Sequence, residues 1–280
     1  MKTILTPFQT KTTCLHVSTW SARRVAVCLV LLFLASIAIK LIALGLEPGL
    51  GRDACLYLLI AEIWGKTGSY GELLRAVPQA DRIPPLLPFL IKSTATAGVP
   101  AETAGLFLNI VLGSLIPLVG FGIAFETTRN KKIALATAFL LAVHPGINDL
   151  STEIQRDAPY LFFSGCAVWL ALAGLLRKKL LPWCGAGIAL AFALLLRYEA
   201  AELLLLVSAM VFVFALARRL SWKQAVSYGA ALVVCMGIAF YSLALLMGTD
   251  KIVSSYSKYI AFEAASSERQ LSGTSESGGK

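Results

Sequence analysis

The strongest constraint in this sequence is a succession of long apolar runs interrupted by short basic clusters. A bilayer core about 30 Å thick is crossed by roughly 20 apolar helical residues. Seven runs approach that length, at 25–46, 105–125, 133–150, 159–176, 181–196, 203–217 and 225–247. Hydrophobic residues make up 57% of the chain and only 15% are charged, whereas soluble domains carry about 25%. The fold these runs imply is an all-α polytopic membrane protein. The net charge of +9 does not form a nucleic-acid-binding face, because the basic residues fall between the runs as topology signals.

Lysine and arginine placement sets the expected orientation. With the N-terminus in the cytoplasm, Lys2, Lys11, Arg23 and Arg24 lie inside, with Arg129/Lys131/Lys132, Arg177/Lys178/Lys179 and Arg218/Arg219/Lys223. Glu126 is the one acid on that side, and the other 15 of the 16 acids lie outside. Three regions follow: a cytoplasmic tail 1–24, a transmembrane module 25–247 with a long outer loop 47–104, and an outer tail 248–280. The first run exceeds the h-region of a signal peptide and reads as an uncleaved anchor. Lys40, in its outer third, is expected to snorkel to the interface. The six cysteines, at 14, 28, 55, 166, 184 and 235, have neither metal-site nor disulfide-framework spacing. The last residues, Ser- and Gly-rich to Lys280, are expected to be disordered.

The outer segments carry the chemistry. After the break at Pro48, Gly49 and Gly51, apolar Leu56, Leu59, Ile60, Ile63 and Trp64 follow helical spacing, and Tyr57 and Trp64 suit a helix at the membrane interface. Pro84-Pro85-Leu86-Leu87-Pro88-Phe89-Leu90-Ile91 is too short to span and predicts a juxtamembrane segment with Pro in its first turn. The second outer loop contains Glu153, Arg156, Asp157 and Tyr160, and the third is the tip Arg197-Tyr198-Glu199. Four acids (Asp53, Glu153, Asp157, Glu199) and three arginines (Arg52, Arg156, Arg197) thus share one side, at the ends of runs.

These outer motifs resemble a family. Arg52-Asp53 with Tyr57, the Pro-Pro-Leu-Leu-Pro segment, Glu153 with Arg156-Asp157-Ala158-Pro159-Tyr160, and Arg197-Tyr198-Glu199 are similar in order and sidedness to membrane glycosyltransferases of the GT-C fold. The nearest groups are the protein O-mannosyltransferases and lipid A aminoarabinose transferases of family 39 type. The resemblance covers roughly residues 23–250. It implies a GT-C-like module with its active face outside the cytoplasmic (inner) membrane of a cell envelope. It also implies transfer of a hexosyl or pentosyl group from a polyprenyl-phosphate donor to a lipid, glycan or protein acceptor. The acidic residue of the first outer loop, which works on the acceptor, matches Asp53.

Such a transfer needs a carboxylate for the acceptor hydroxyl and cations for the departing phosphate. Asp53 is the expected base, with an N-cap of the following helix as its alternative. Arg156 and Arg197 offer planar donors for phosphate, or pair with Asp157 and Glu199. Glu153 and Asp157 could hold a divalent metal or cap the fourth span. Arg52, Tyr57, Tyr198 and Glu199 complete the expected substrate site. His144, before Pro145, reads as structural, and His16 carries no signal. The alternative function is a non-enzymatic membrane protein: a transporter, or a truncated and inactive relative. A transporter would place binding groups near the midplane, whereas these charges lie at the outer ends. Family members usually continue past the seventh run, so the chain is expected to be weakly active unless a second chain completes the fold.

Overall fold

A computed structural model describes residues 21–46 and 51–248. Both tails, with His16 and the Ser/Gly-rich end, and Pro48 and Gly49 of the expected break lie outside the described residues. The described chain is helical, with no strand. After α1 (Ala22–Leu46), the long loop folds as α2 (Arg52–Thr67), α3 (Tyr70–Ala76), a 3₁₀ turn (Pro78–Arg82) and α4 (Leu86–Ala95). The bundle continues through α5 (Ala101–Thr128), α6 (Lys131–Ala142), α7 (Pro145–Thr152), α8 (Asp157–Arg177), α9 (Leu181–Leu196), α10 (Ala200–Leu216) and α11 (Trp222–Leu246).

Every apolar run is helical, but the runs are not equivalent. Among the described residues, α1, α5, α8 and α11 are long and apolar enough to cross a membrane, and the chain is an integral membrane protein. The run at 133–150 is not one helix. It breaks into α6 and α7, bent by 52°, and makes a fifth span only as a bent pair. Pro145 lacks the N–H that would continue the α6 ladder, and it disfavours helical backbone at His144. His144 instead caps α7, its Nδ1 accepting from Ile147 N at 3.4 Å, which is the structural role expected of it. Helices α9 and α10, of 16 and 17 residues, are apolar but shorter.

Helix α5 packs against α1, α6 and α8, while α9 sits between α8 and α11. Lipid tails are as apolar as leucine, so close packing rather than hydrophobic contrast must hold such helices together. Gly113 of α5 receives Ser151 and Lys40, Gly122 receives Trp169, and Gly187 of α9 lies on the Leu232 carbonyl of α11, with no room for a Cβ.

Two further expectations are overturned. Lys40 does not snorkel: it is fully buried, and its Nζ donates to Ser36 Oγ and to Asn148 Oδ1, both at 2.9 Å. Asn148 in α7 offers this amine an acceptor inside the bundle, so its methylenes need not carry it to the surface. Nor do Tyr57 and Trp64 face the membrane interface. Trp64 is fully buried, with Tyr70 and Phe89 against its ring and the Lys92 ammonium 5.1 Å from its centre. The Pro-rich segment forms α4, which buries Leu86, Leu87 and Ile91 in the same cluster as Tyr57, Ile60 and Leu73. Ile154, Leu195 and Leu196 join this cluster, so the loop 51–100 is seated on one end of the bundle.

Candidate active site

Three segments meet at that seat: the start of α2, the turn between α7 and α8, and the α9–α10 tip. The first turn of α2 begins after Gly51, which is its N-cap, so Asp53 is a first-turn residue and not the cap. Asp53 and Arg52 are exposed, while Tyr57, one turn after Asp53, is buried. Glu153 lies against the start of α2, its Oε2 within 3.4 Å of where a Cβ on Gly51 would stand. A Cβ at 51 would make ordinary contact with that carboxylate.

The α8 side is built from an i, i+3 pair. Asp157 opens the helix and Tyr160 follows one turn later on the same face. Arg197, C-cap of α9, reaches both: its Nη1 donates to Asp157 Oδ1, and its guanidinium carbon lies 5.4 Å from the Tyr160 ring centre. The same guanidinium donates through Nη2 to Glu199 Oε1 at 3.3 Å. Arg197 is therefore engaged by two carboxylates and an aromatic face, whereas Arg156, half-buried beside them, forms no ion pair among the described residues. Tyr198 is buried, and its hydroxyl donates to the Asp81 carbonyl at 3.4 Å, tying the tip to the 3₁₀ turn.

Tyr57 lies within electrostatic reach of four of these charges. Burial pushes its hydroxyl up to about 12; Arg156 and Arg197 act against that shift, and Asp53 and Asp157 with it. All four side chains are thus close enough for their charges to reach one phenol, which stays protonated and able to donate. At Glu199 burial opposes ionisation, but its hydrogen bonds, Arg197 and Arg156 outweigh burial and hold the carboxyl below its ordinary value. The result is a polar site with fixed carboxylates, one doubly anchored guanidinium and one guanidinium without an ion pair among the described residues. Asp157 does not cap α8 through a side-chain bond, since Arg156 is the N-cap position, but it lies in the first turn, where a negative charge meets the helix dipole favourably. No group of three His, Cys, Asp or Glu side chains placed to hold a metal occurs among the described residues, and the Asp157 carboxylate faces Arg197.

The sequence model of the dolichyl-phosphate-mannose-protein mannosyltransferase family matches residues 82–250, more than half of the chain. The chain belongs to this family. It is thus a mannosyltransferase-like membrane glycosyltransferase by family, of the GT-C type expected from its outer motifs. No match was found among curated proteins. The family match includes Glu153, Arg156, Asp157, Arg197, Tyr198 and Glu199 but starts after Arg52, Asp53 and Tyr57, so those three rest on their own geometry. Tyr160 was absent from the expected site; its place three residues after Asp157 on one helix was the signal for it.

Proposed function

We propose that this glycosyltransferase moves a sugar from a polyprenyl-phosphate donor to an acceptor hydroxyl at the acidic end of the bundle. The observation that carries the reading is that Arg197 joins Asp157, Glu199 and the Tyr160 ring at this end of the bundle, with Asp53 and Arg156 near enough for their charges to act on the same Tyr57. The acceptor oxygen attacks the anomeric carbon, the bond from that carbon to the phosphate oxygen breaks, and polyprenyl phosphate leaves. Asp53, exposed and not engaged in a cap, takes the acceptor proton. Arg156, free of ion pairs among the described residues, offers its planar donors to the phosphate. Arg197 is held by Asp157 and Glu199 and keeps the α8 and α9 ends together, with part of its charge directed at the same phosphate. Tyr57 and Glu199 position the sugar, and Arg52, Glu153 and Tyr198 border the acceptor.

The test is purified protein in liposomes, offered a panel of polyprenyl-phosphate sugars, with donor binding measured alongside turnover. Arg156→Ala should weaken donor binding more than Arg197→Ala does. A charge-assisted bond is worth about 1.5–3 kcal/mol, so the Arg156 loss should be about tenfold or more. Unchanged donor affinity in both variants would remove the phosphate role, and no turnover with any donor would remove the function.

The reading also places the acidic end outside the cytoplasmic membrane, with the N-terminus inside. On a cysteine-free background, Thr152→Cys should react with an impermeant thiol reagent added from outside, and Lys178→Cys should be protected. The reverse pattern would put the site on the cytoplasmic face.

A further inference from the structure

On the opposite side of α8 from this site, a cleft of about 540 Å³ runs along α5 between α1 and α8. Its walls are almost wholly apolar, with Leu29 and Phe33 from α1, Leu118 from α5, and Phe162 and Trp169 from α8. From Phe162 to Arg177 is about four turns of α8, roughly 22 Å at 1.5 Å per residue. That exceeds the depth of one leaflet's hydrocarbon, about 15 Å as half of the core.

The cleft ends at charge. Glu126, 2% exposed, closes its basic end, accepting from Arg177 Nε at 3.2 Å and from Arg177 Nη2, with Arg129 Nη2 2.9 Å away. Two guanidiniums thus meet one carboxylate, and both remain about half exposed, at 46% and 50%. Lys178 and Lys179 follow directly and are exposed. The C-termini of α5 and α8 also lie here, and together they bring about one negative charge. Four cations against Glu126 and those two ends leave the rim positive.

The donor's own chain is not the natural occupant. Tyr160 and Phe163 turn toward Arg197 and Phe192, whereas Phe162, Cys166 and Trp169 line the cleft, so α8 separates the two. We propose that the cleft holds one tail of an anionic phospholipid from the leaflet at the basic end. Its phosphate meets Arg177, Arg129 and Lys178. This site stands apart from the transfer reaction, and its test does not depend on turnover.

The experiment is native mass spectrometry of the purified protein after equilibration with equal amounts of phosphatidylglycerol and phosphatidylcholine. The expected spectrum shows one phosphatidylglycerol retained and phosphatidylcholine lost. Arg129→Gln and Lys178→Gln, both at exposed positions, should each lower phosphatidylglycerol retention about fivefold, as expected for one basic residue near an anionic lipid. Leu118→Trp, which places an indole in the cleft, should also lower retention, with its thermal unfolding midpoint as the control for folding. Equal retention of the two lipids would overturn the proposal. So would charge variants that retain phosphatidylglycerol as the wild type does, or a folded Leu118→Trp protein that keeps its lipid.

Discussion

Asp53→Asn should lower sugar transfer by about 10²–10⁴-fold, the contribution a positioned base makes. Donor binding and yield should stay near those of the unmodified protein. Asparagine keeps the size and the hydrogen-bonding oxygen but cannot take a proton at neutral pH. The substitution therefore separates the two roles that Asp53 admitted on sequence grounds. Gly51, not Asp53, occupies the N-cap of α2, and no side-chain cap bond is made there. What remains for a purely structural Asp53 is a first-turn charge on the helix dipole, worth about 0.3–1 kcal/mol. Losing that would soften α2 slightly and leave turnover nearly intact. Initial rates in liposomes with saturating donor distinguish the outcomes, and an Asn variant that turns over like the unmodified protein would strip Asp53 of its catalytic role.

The family match begins after Asp53, so this substitution probes the segment supported by geometry alone. Tyr57 provides a control within the same segment. Its hydroxyl is neutral across the working pH range, being pushed up to about 12 chiefly by burial, so it keeps its proton and does not serve as the base. A pH profile of transfer that falls on the acid side belongs to a carboxylate and not to this phenol.

What was legible in the sequence and what was not divide along physical lines. The bilayer demands long apolar helices of any chain that crosses it, so the runs announced α1, α5, α8 and α11 without knowledge of their neighbours. Pro145 also announced itself, but a proline inside an apolar run is compatible with both a kinked helix and a break. Only the 52° bend and the His144 cap decide for a break. Helical spacing identified the apolar stripe on α2 yet not its cover. Lipid, water interface or another helix would select the same residues, and here α4 and the bundle end cover Tyr57 and Trp64. Arg197 shows the same limit from the polar side. Two carboxylates and a phosphate would be equally good partners in sequence, and the fold brings Asp157, 40 residues away, into contact with it.

Lys40 is the clearest case, because a snorkelling lysine and a buried one have the same sequence signature. The partner that decides is Asn148, 108 residues distant. Asn148 holds two groups at once: its Oδ1 accepts from Lys40 Nζ, and its Nδ2 donates to the Ala142 carbonyl at 3.4 Å, across the α6–α7 break. Asn148→Leu therefore leaves a fully buried amine short of an acceptor and a helix-end carbonyl short of a donor. Lys40→Met removes the amine itself, and leaves two neutral oxygens, the Asn148 amide Oδ1 and the Ser36 hydroxyl, without its hydrogen bonds. Asn148→Leu should accordingly destabilise the folded protein by about 1–3 kcal/mol more than Lys40→Met, the usual cost of stranding a buried polar group. The double variant should recover most of the difference, since replacing both partners by apolar groups of similar shape is nearly neutral. Denaturation midpoints of the detergent-solubilised proteins supply the cycle. A Lys40→Met protein as unstable as Asn148→Leu, with the two losses adding in the double variant, would mean that the pair is not coupled. Lys40 would then contribute to α1 by packing alone.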